Sequence, residues 1–306
     1  MSASKEQTLC ILGCGNLGTA IIKNLLTGSP SSAESSFSQF IACVRSENSQ
    51  KALQSKFQEQ HNKLQVSRGD NVGAVKAADV VILAVDPADV AKTLAQGGLK
   101  EALGTKLVIS VVAGYTRQAL ESTLYGSPTT AENQGGRASF LRTLPNIAAL
   151  ASAGLTAIEI PDEAPLAAEE HVALAESIFA AIGKTAQIHP RLMDATTAVA
   201  GSTPAFFAII CDALVDASVA VGMPRATAET MIFQSMQGTA ALLQSGLSTG
   251  QLRDQGTSPE GCTIGGVMVL EENAVRGHVG RALREAVTLA REMGKVEHVN
   301  DTRHLA

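Results

Sequence analysis

From Thr8 to about His189 the chain alternates short apolar runs with segments of helical spacing. The runs Thr8–Leu12, Gln39–Val44, Leu64–Ser67, Asp79–Val85, Lys106–Gly114, Ala138–Leu144, Leu155–Ile160 and Lys184–His189 predict strands. Near-continuous apolar strands separated by helices predict an α/β fold, a mainly parallel sheet covered on both faces. The polar stretches Thr27–Ser38 and Thr123–Gly136 predict surface loops. After His189 the strand-type runs stop, and three helical stretches follow, Met193–Pro224, Arg225–Gly246 and Glu271–Gly294. The first is apolar almost all round, which predicts burial on every side. So small a domain supplies that burial only with a second subunit, so an interleaved homodimer through the C-terminal helices is expected, alone or within a larger homo-oligomer. The expected division is 1–189 for a nucleotide-binding domain and 190–306 for a helical dimerisation and substrate-binding domain.

The first strand runs into Gly13, Gly15 and Gly18, a G-x-G-x-x-G, and Asn16 to Leu26 continues with helical spacing. In a Rossmann-type domain Gly13 makes the tight turn, Gly15 lets the backbone approach a pyrophosphate, and Gly18 permits close helix–strand packing. Asn16 and Leu17 lie in the same loop. The motif alone also fits an ordinary glycine-rich turn; its place after a strand and before a helix favours a dinucleotide. The second strand ends Val44, Arg45, Ser46, with no acid before Glu47 to bind ribose hydroxyls. Arg45 can pair with a 2′-phosphate and Ser46 can donate to it, so NADP(H) is preferred and NAD(H) possible. Ala84, Val85 and Pro87, then Ala113 and Gly114, and Asn146 complete the expected cofactor surface at the strand ends. Asn146 serves equally as a turn cap.

A second anion site is predicted some 240 residues later, in TSPEGCTIGG, Thr257–Gly266. Thr257, Ser258 and Pro259 carry helix-start chemistry and an apolar run, Ile264–Leu270, follows. A helix start offers unpaired N–H groups and the positive end of the helix dipole to a carboxylate or phosphate.

Charge and composition narrow the function. A net charge of −5, no Trp and two Tyr argue against a nucleic-acid partner. The longest apolar segment, Ala205–Val221, is interrupted by Asp212 and Asp216, so no membrane span is expected. The first apolar run is the first strand, and no leader is expected. Cys10, Cys14, Cys43, Cys211 and Cys262 have no metal-type spacing, nor do His171, His189 and His278, so no metal is expected. Free thiols suit a reducing compartment, the cytoplasm.

QLRDQGTSPEGCTIGGVMVLEENAVRG, Gln251–Gly277, resembles L-x-D-x-V-x-S-P-G-G-x-T-I-x-x-x-x-x-L-E-x-x-G-x-R, the signature of the pyrroline-5-carboxylate reductase family, in its fungal form. AVAGSTPAFFA (Ala198–Ala208) is similar to that family's S-G-S-G-P-A-Y, RTLPNIA (Arg142–Ala148) to R-x-M-P-N-T-P, and AVDP (Ala84–Pro87) to A-V-K-P. The resemblance runs from Leu9 to about Gly294 and implies reduction of a cyclic imine to L-proline. It implies a substrate carboxylate at the backbone around Gly261, Cys262 and Thr263 beside Ser258, and a catalytic Thr263 whose hydroxyl contacts the ring nitrogen. Cys262 reads as a spacer. Departures from the pattern include Asp86 for Lys, Thr203 for Gly, Glu260 for the first Gly of P-G-G, and Ile147 for Thr. A related cyclic imine, such as a substituted pyrroline or a piperideine carboxylate, is the alternative substrate, and a non-catalytic NADP(H)-binding regulator the alternative class. Other reductase chemistries lack their residues. Tyr-x-x-x-Lys is absent, since Tyr115 and Tyr125 are followed at that offset by Ala119 and Thr129, and no Lys lies between Lys184 and Lys295.

Overall fold

A computed structural model describes residues 7–27, 37–161 and 169–293. Eight strands form one sheet in the order β3-β2-β1-β4-β5-β6-β7-β8. They are β1 (Gln7–Leu12), β2 (Phe37–Val44), β3 (Leu64–Arg68), β4 (Val80–Leu83), β5 (Leu107–Ser110), β6 (Ser139–Pro145), β7 (Gly154–Glu159) and β8 (Gly183–Ile188). The first six are parallel. β7 is antiparallel to β6, and β8 is parallel to β7. The reversal follows from the short connection Ile147–Ala151, which is a single 3-10 turn rather than a crossover helix.

Alternation along β1 sorts its side chains to two cores. Leu9 and Ile11 pack with Ile21, Ile22 and Phe179 on one face. Cys10 and Leu12 pack with Val75, Leu99 and Leu120 on the other. Both faces are therefore covered, as a parallel sheet requires. Several strands are shorter than their apolar runs: β4 stops at Leu83 and β5 at Ser110, which leaves Ala84, Val85, Ala113 and Gly114 in the loops beyond. The expected loop at Thr123–Gly136 begins later, because a helix runs through Tyr125 to Gly126 in the left-handed conformation. Of the Ser-rich stretch, 28–36 lies outside the described residues, Thr27 ends a helix, and Phe37 and Ser38 belong to β2.

Packing divides the chain into two compact units, Met1–Gly201 with Leu289–Ala306, and Ser202–Thr288. The sequence pattern changes at 189/190, but residues just beyond still belong to the first unit. Met193 is buried with Leu144 and Ala157, and Ala198 and Ala200 are buried too. The second unit is helical, with Thr203–Ala220, Arg225–Gln244, Thr249–Gln255 and Cys262–Glu272 as its main elements. It buries few side chains: only Cys211 and Val215 on the first of these helices and Ala228 on the second. Phe207, Ile209, Leu214, Val221 and Phe233 are all exposed, Val221 by 84%. The expected burial all round Thr203–Ala220 is therefore not met within one chain. Pro190–Ala220 is also long and apolar enough to cross a membrane by length and composition, with Asp212 and Asp216 included. Asp216 pairs with Arg225.

Among the described residues of the first unit, two ion pairs are buried. Arg117 meets Glu121 at 2.7 Å on one helix, and Arg142 on β6 meets Glu159 on β7 at 3.2 Å. Burial pushes the Glu159 carboxyl up, against the pull of Arg142. Breaking a buried pair leaves a charge without a partner. Arg142→Met is therefore expected to destabilise the chain by about 3 kcal/mol at about pH 7. A carboxyl whose folded-state pKa is raised favours folding only at low pH and loses that contribution as pH rises. Below the ordinary value of 4.5 folded and unfolded chains both carry the proton, so the loss shrinks toward about pH 4. Urea unfolding at the two pH values measures it, and an equal loss at both contradicts the assignment to Glu159.

Candidate active site

In the first unit, the turn after β1 is held by close backbone contact. Gly13 has φ +87°, and a Cβ on it would lie 2.7 Å from both the Ala84 carbonyl oxygen and the Val85 nitrogen. Gly18 packs against β1, where a Cβ would meet Ile11 Cγ2 at 3.0 Å. At Gly15 a Cβ would meet nothing within 4 Å, so open space lies beside that backbone. The Cys14 N–H donates to Cys43 at 2.8 Å, tying the turn to β2. The helix starts at Asn16 and its first ladder bond runs from Thr19 N–H to the Gly15 carbonyl. The amides of Asn16, Leu17 and Gly18 precede that bond and form a candidate anion cradle. Burial pushes the Cys14 thiol up to about 12, so it adds no negative charge to the cradle at neutral pH. The residues present fit a dinucleotide pyrophosphate.

Around this cradle lie the ends of β2 and β4. Ser46 caps the helix Glu47–Lys56, accepting from Ser49 N–H at 3.1 Å, and its hydroxyl also lies 2.8 Å from that of Ser49. Arg45 is highly exposed and its Nη1 donates to Asp89 at 2.9 Å. Asp86 caps the turn Pro87–Asp89 by accepting from Ala88 N–H at 2.9 Å, a local role for an acid where the family pattern has Lys. Gly114 has φ +78° in the loop after β5. The Asn146 side chain is tied at both ends: it donates to the Ala200 carbonyl at 3.0 Å and accepts from Leu155 N–H at 3.1 Å. Ala200 lies in a π-helical turn, Thr197–Ser202, where carbonyls leave the ordinary i→i−4 ladder.

The second unit carries the other candidate anion site, with its helix start displaced from the expected place. The helix begins at Cys262, with Gly261 as its N-cap and no side-chain cap bond. Thr257 instead closes the preceding helix, its hydroxyl donating to the Asp254 carbonyl at 3.1 Å. Ser258 to Gly261 form a turn closed by Gly261 N–H to the Ser258 carbonyl at 3.0 Å. Pro259 and Glu260 occupy its central positions, and Glu260 has φ +59°. A turn with Pro at its second position and positive φ at its third explains why a P-G-G pattern places glycine there. Gly261 is needed for space, since a Cβ would lie 2.5 Å from the Ser258 hydroxyl. The amides of Cys262, Thr263 and Ile264 are left without intrahelical acceptors. Cys262 and Thr263 are exposed, and among the described residues the Thr263 hydroxyl has no hydrogen-bond partner.

Two features escaped the sequence reading. Asp89, the partner of Arg45, lies 44 positions away and no motif links them. Ala274 has φ +52° and stands where the signature has the glycine of L-E-x-x-G-x-R, a further departure from the pattern. Like Glu260 it accepts a left-handed backbone that glycine adopts without strain.

Residues 190–293 match the model described as pyrroline-5-carboxylate reductase dimerisation. Residues 8–114 match that of NADP oxidoreductase coenzyme F420-dependent proteins. The chain is 38% identical to a pyrroline-5-carboxylate reductase of Lophium arboricola, over 97% of each chain. It is 35% identical to one of Neurospora crassa, over 99% of this chain and 98% of the relative. Among solved structures it is similar to a pyrroline-5-carboxylate reductase of Coxiella burnetii. That match has a TM-score of 0.77, 27% identity, and coverage of 95% of this chain and 99% of the other.

The glycine geometry separates two substitutions. Gly13→Ala is expected to cost at least about 2 kcal/mol of stability through its backbone clash and positive φ, and to abolish nucleotide binding. Gly15→Ala is expected to melt within about 2 °C of the parent and lose only nucleotide affinity. Thermal melts with calorimetric NADPH titration check this, and equal melting temperatures for the two variants contradict it.

Proposed function

The chain belongs to the pyrroline-5-carboxylate reductase family, and we infer that it reduces the C=N bond of 1-pyrroline-5-carboxylate to give L-proline, with NADP(H) as preferred cofactor. Bound NADPH supplies the hydride. The observation that carries the site assignment is the cluster of unsatisfied amides at Cys262, Thr263 and Ile264 beside an unpartnered Thr263 hydroxyl. Those amides and the helix dipole suit the substrate carboxylate. Holding the carboxylate fixes which face of the ring is offered, lowering the entropic part of the barrier. The Thr263 hydroxyl can accept from a protonated imine nitrogen and donate to a neutral amine, so it suits the ring nitrogen throughout the reaction. Glu260 is exposed, and solvent screens its charge.

For the cofactor, the amides of Asn16, Leu17 and Gly18 hold the pyrophosphate, with Gly13 and Gly15 giving the backbone its close approach. Arg45 and Ser46 clamp the 2′-phosphate. Ala84, Val85, Pro87, Ala113 and Gly114 line the remainder, and Asn146 retains one N–H and one lone pair for the carboxamide. Residues 1–189 thus serve the nucleotide, and 190–306 serve dimerisation and the substrate.

The outward apolar face of the second unit is covered by a second copy of the chain. The dimerisation model spans the membrane-length stretch Pro190–Ala220, which supports a protein partner over lipid. Five unpaired cysteines support a reducing compartment, and we assign the chain to the cytoplasm.

NADPH oxidation by the purified protein, with six-membered and methylated imines run alongside, tests the substrate. Turnover is expected on pyrroline-5-carboxylate, and preference for another imine overturns the assignment. Thr263→Ala is expected to lower kcat by about 100-fold while NADPH affinity changes by less than about twofold. An unchanged kcat removes Thr263 from the mechanism. Light scattering at low micromolar concentration is expected to give a dimer or larger, and a monomeric mass contradicts the interface.

A further inference from the structure

The ion pair between Arg45 and Asp89 has a position that matters for cofactor choice. Arg45 lies one residue past β2, and Asp89 lies in the turn Pro87–Asp89 beyond β4. In the sheet order β1 separates β2 from β4, so the 2.9 Å contact spans the carboxyl end of β1. Neighbouring strands stand about 4.8 Å apart, so the two ends bridged are about 10 Å from each other. The adenosine of a dinucleotide enters a Rossmann-type domain across this crevice. Asp89 has no competing local duty. It stands at the start of the helix Val90–Leu94 without a side-chain cap bond, whereas Asp86 is already spent on Ala88 N–H.

We propose that Asp89 is a specificity-determining residue: it holds Arg45 across the adenosine crevice until a 2′-phosphate takes its place, and so lowers the selectivity of this chain for NADPH over NADH. The inference rests on the reading of Arg45 as the 2′-phosphate clamp. A ribose that carries only hydroxyls has no charge with which to displace the carboxylate, and binds with the pair intact. A phosphate of nearly two negative charges competes for the same guanidinium, and its gain is reduced by the pair it must break. The pair is exposed, 87% at Arg45 and 37% at Asp89, so the reduction is small and falls with salt.

Calorimetric dissociation constants for NADPH and NADH test this on the full-length protein, its Asp89→Ala and Arg45→Ala variants and the double variant. Asp89→Ala is expected to tighten NADPH about threefold to fivefold and leave NADH within about twofold. Arg45→Ala is expected to weaken NADPH about tenfold or more while sparing NADH, and in its background Asp89→Ala is expected to have no effect. If Arg45→Ala is selective but Asp89→Ala leaves NADPH unchanged or weaker, the role of Asp89 falls and the clamp stands. Tightening that persists undiminished in the double variant also overturns the gate, since Asp89 then acts on the phosphate without Arg45. Equal weakening of both cofactors by Arg45→Ala removes the clamp, and the gate with it.

Discussion

The nucleotide half of the molecule depends on one close approach, that of Gly13 to the backbone of Ala84 and Val85. No side chain fits between them, so the turn after β1 is pressed directly against the end of β4. The first helix starts just after this contact, at Asn16, and the space beside Gly15 is open. The turn of Asp86 to Asp89 lies beside the same strand end, within reach of Arg45. A missing Cβ therefore joins the loops after β1 and β4, and the Cys14 N–H bond to the Cys43 carbonyl ties the same turn to β2. Of the two buried ion pairs, Arg142–Glu159 serves a different end, tying β6 to β7 where the sheet reverses direction.

The second unit is built on the opposite principle. Its helices Thr203–Ala220 and Arg225–Gln244 are long, yet few of their apolar side chains are buried in one chain. Exposed apolar surface of this extent marks an interaction face. The same unit presents a helix N-terminus with three free amides, preceded by a turn whose backbone favours glycine but is taken by Glu260. Each unit thus carries one of the two proposed anion sites, each built on amides at a helix start.

Much of the architecture was legible in the sequence because it rests on local rules. Apolar runs interrupted by helices gave a covered parallel sheet, and glycines at fixed offsets after a strand gave the first turn. The direction of β7 was not legible, since a short strand-type run such as Leu155–Ile160 pairs either way and only the short turn before it dictates reversal. The start of the Cys262 helix was misplaced by several residues because Pro259 serves a turn's second position as well as a helix's first. Asp89 was invisible because ion pairing across a sheet leaves no spacing in the chain. Ala274 and Glu260 gave no signal of their own; only a pattern with glycine at those positions points to a left-handed backbone.

The central claim is that this chain delivers a hydride to the imine carbon of 1-pyrroline-5-carboxylate. Mass spectrometry of the product formed with NADPH deuterated at nicotinamide C4, in separate reactions for its two faces, tests that claim most directly. Proline carrying one deuterium at C5 is expected from one of the two labelled cofactors, and none from the other. Proline without deuterium from either, or label at any other carbon, would contradict it.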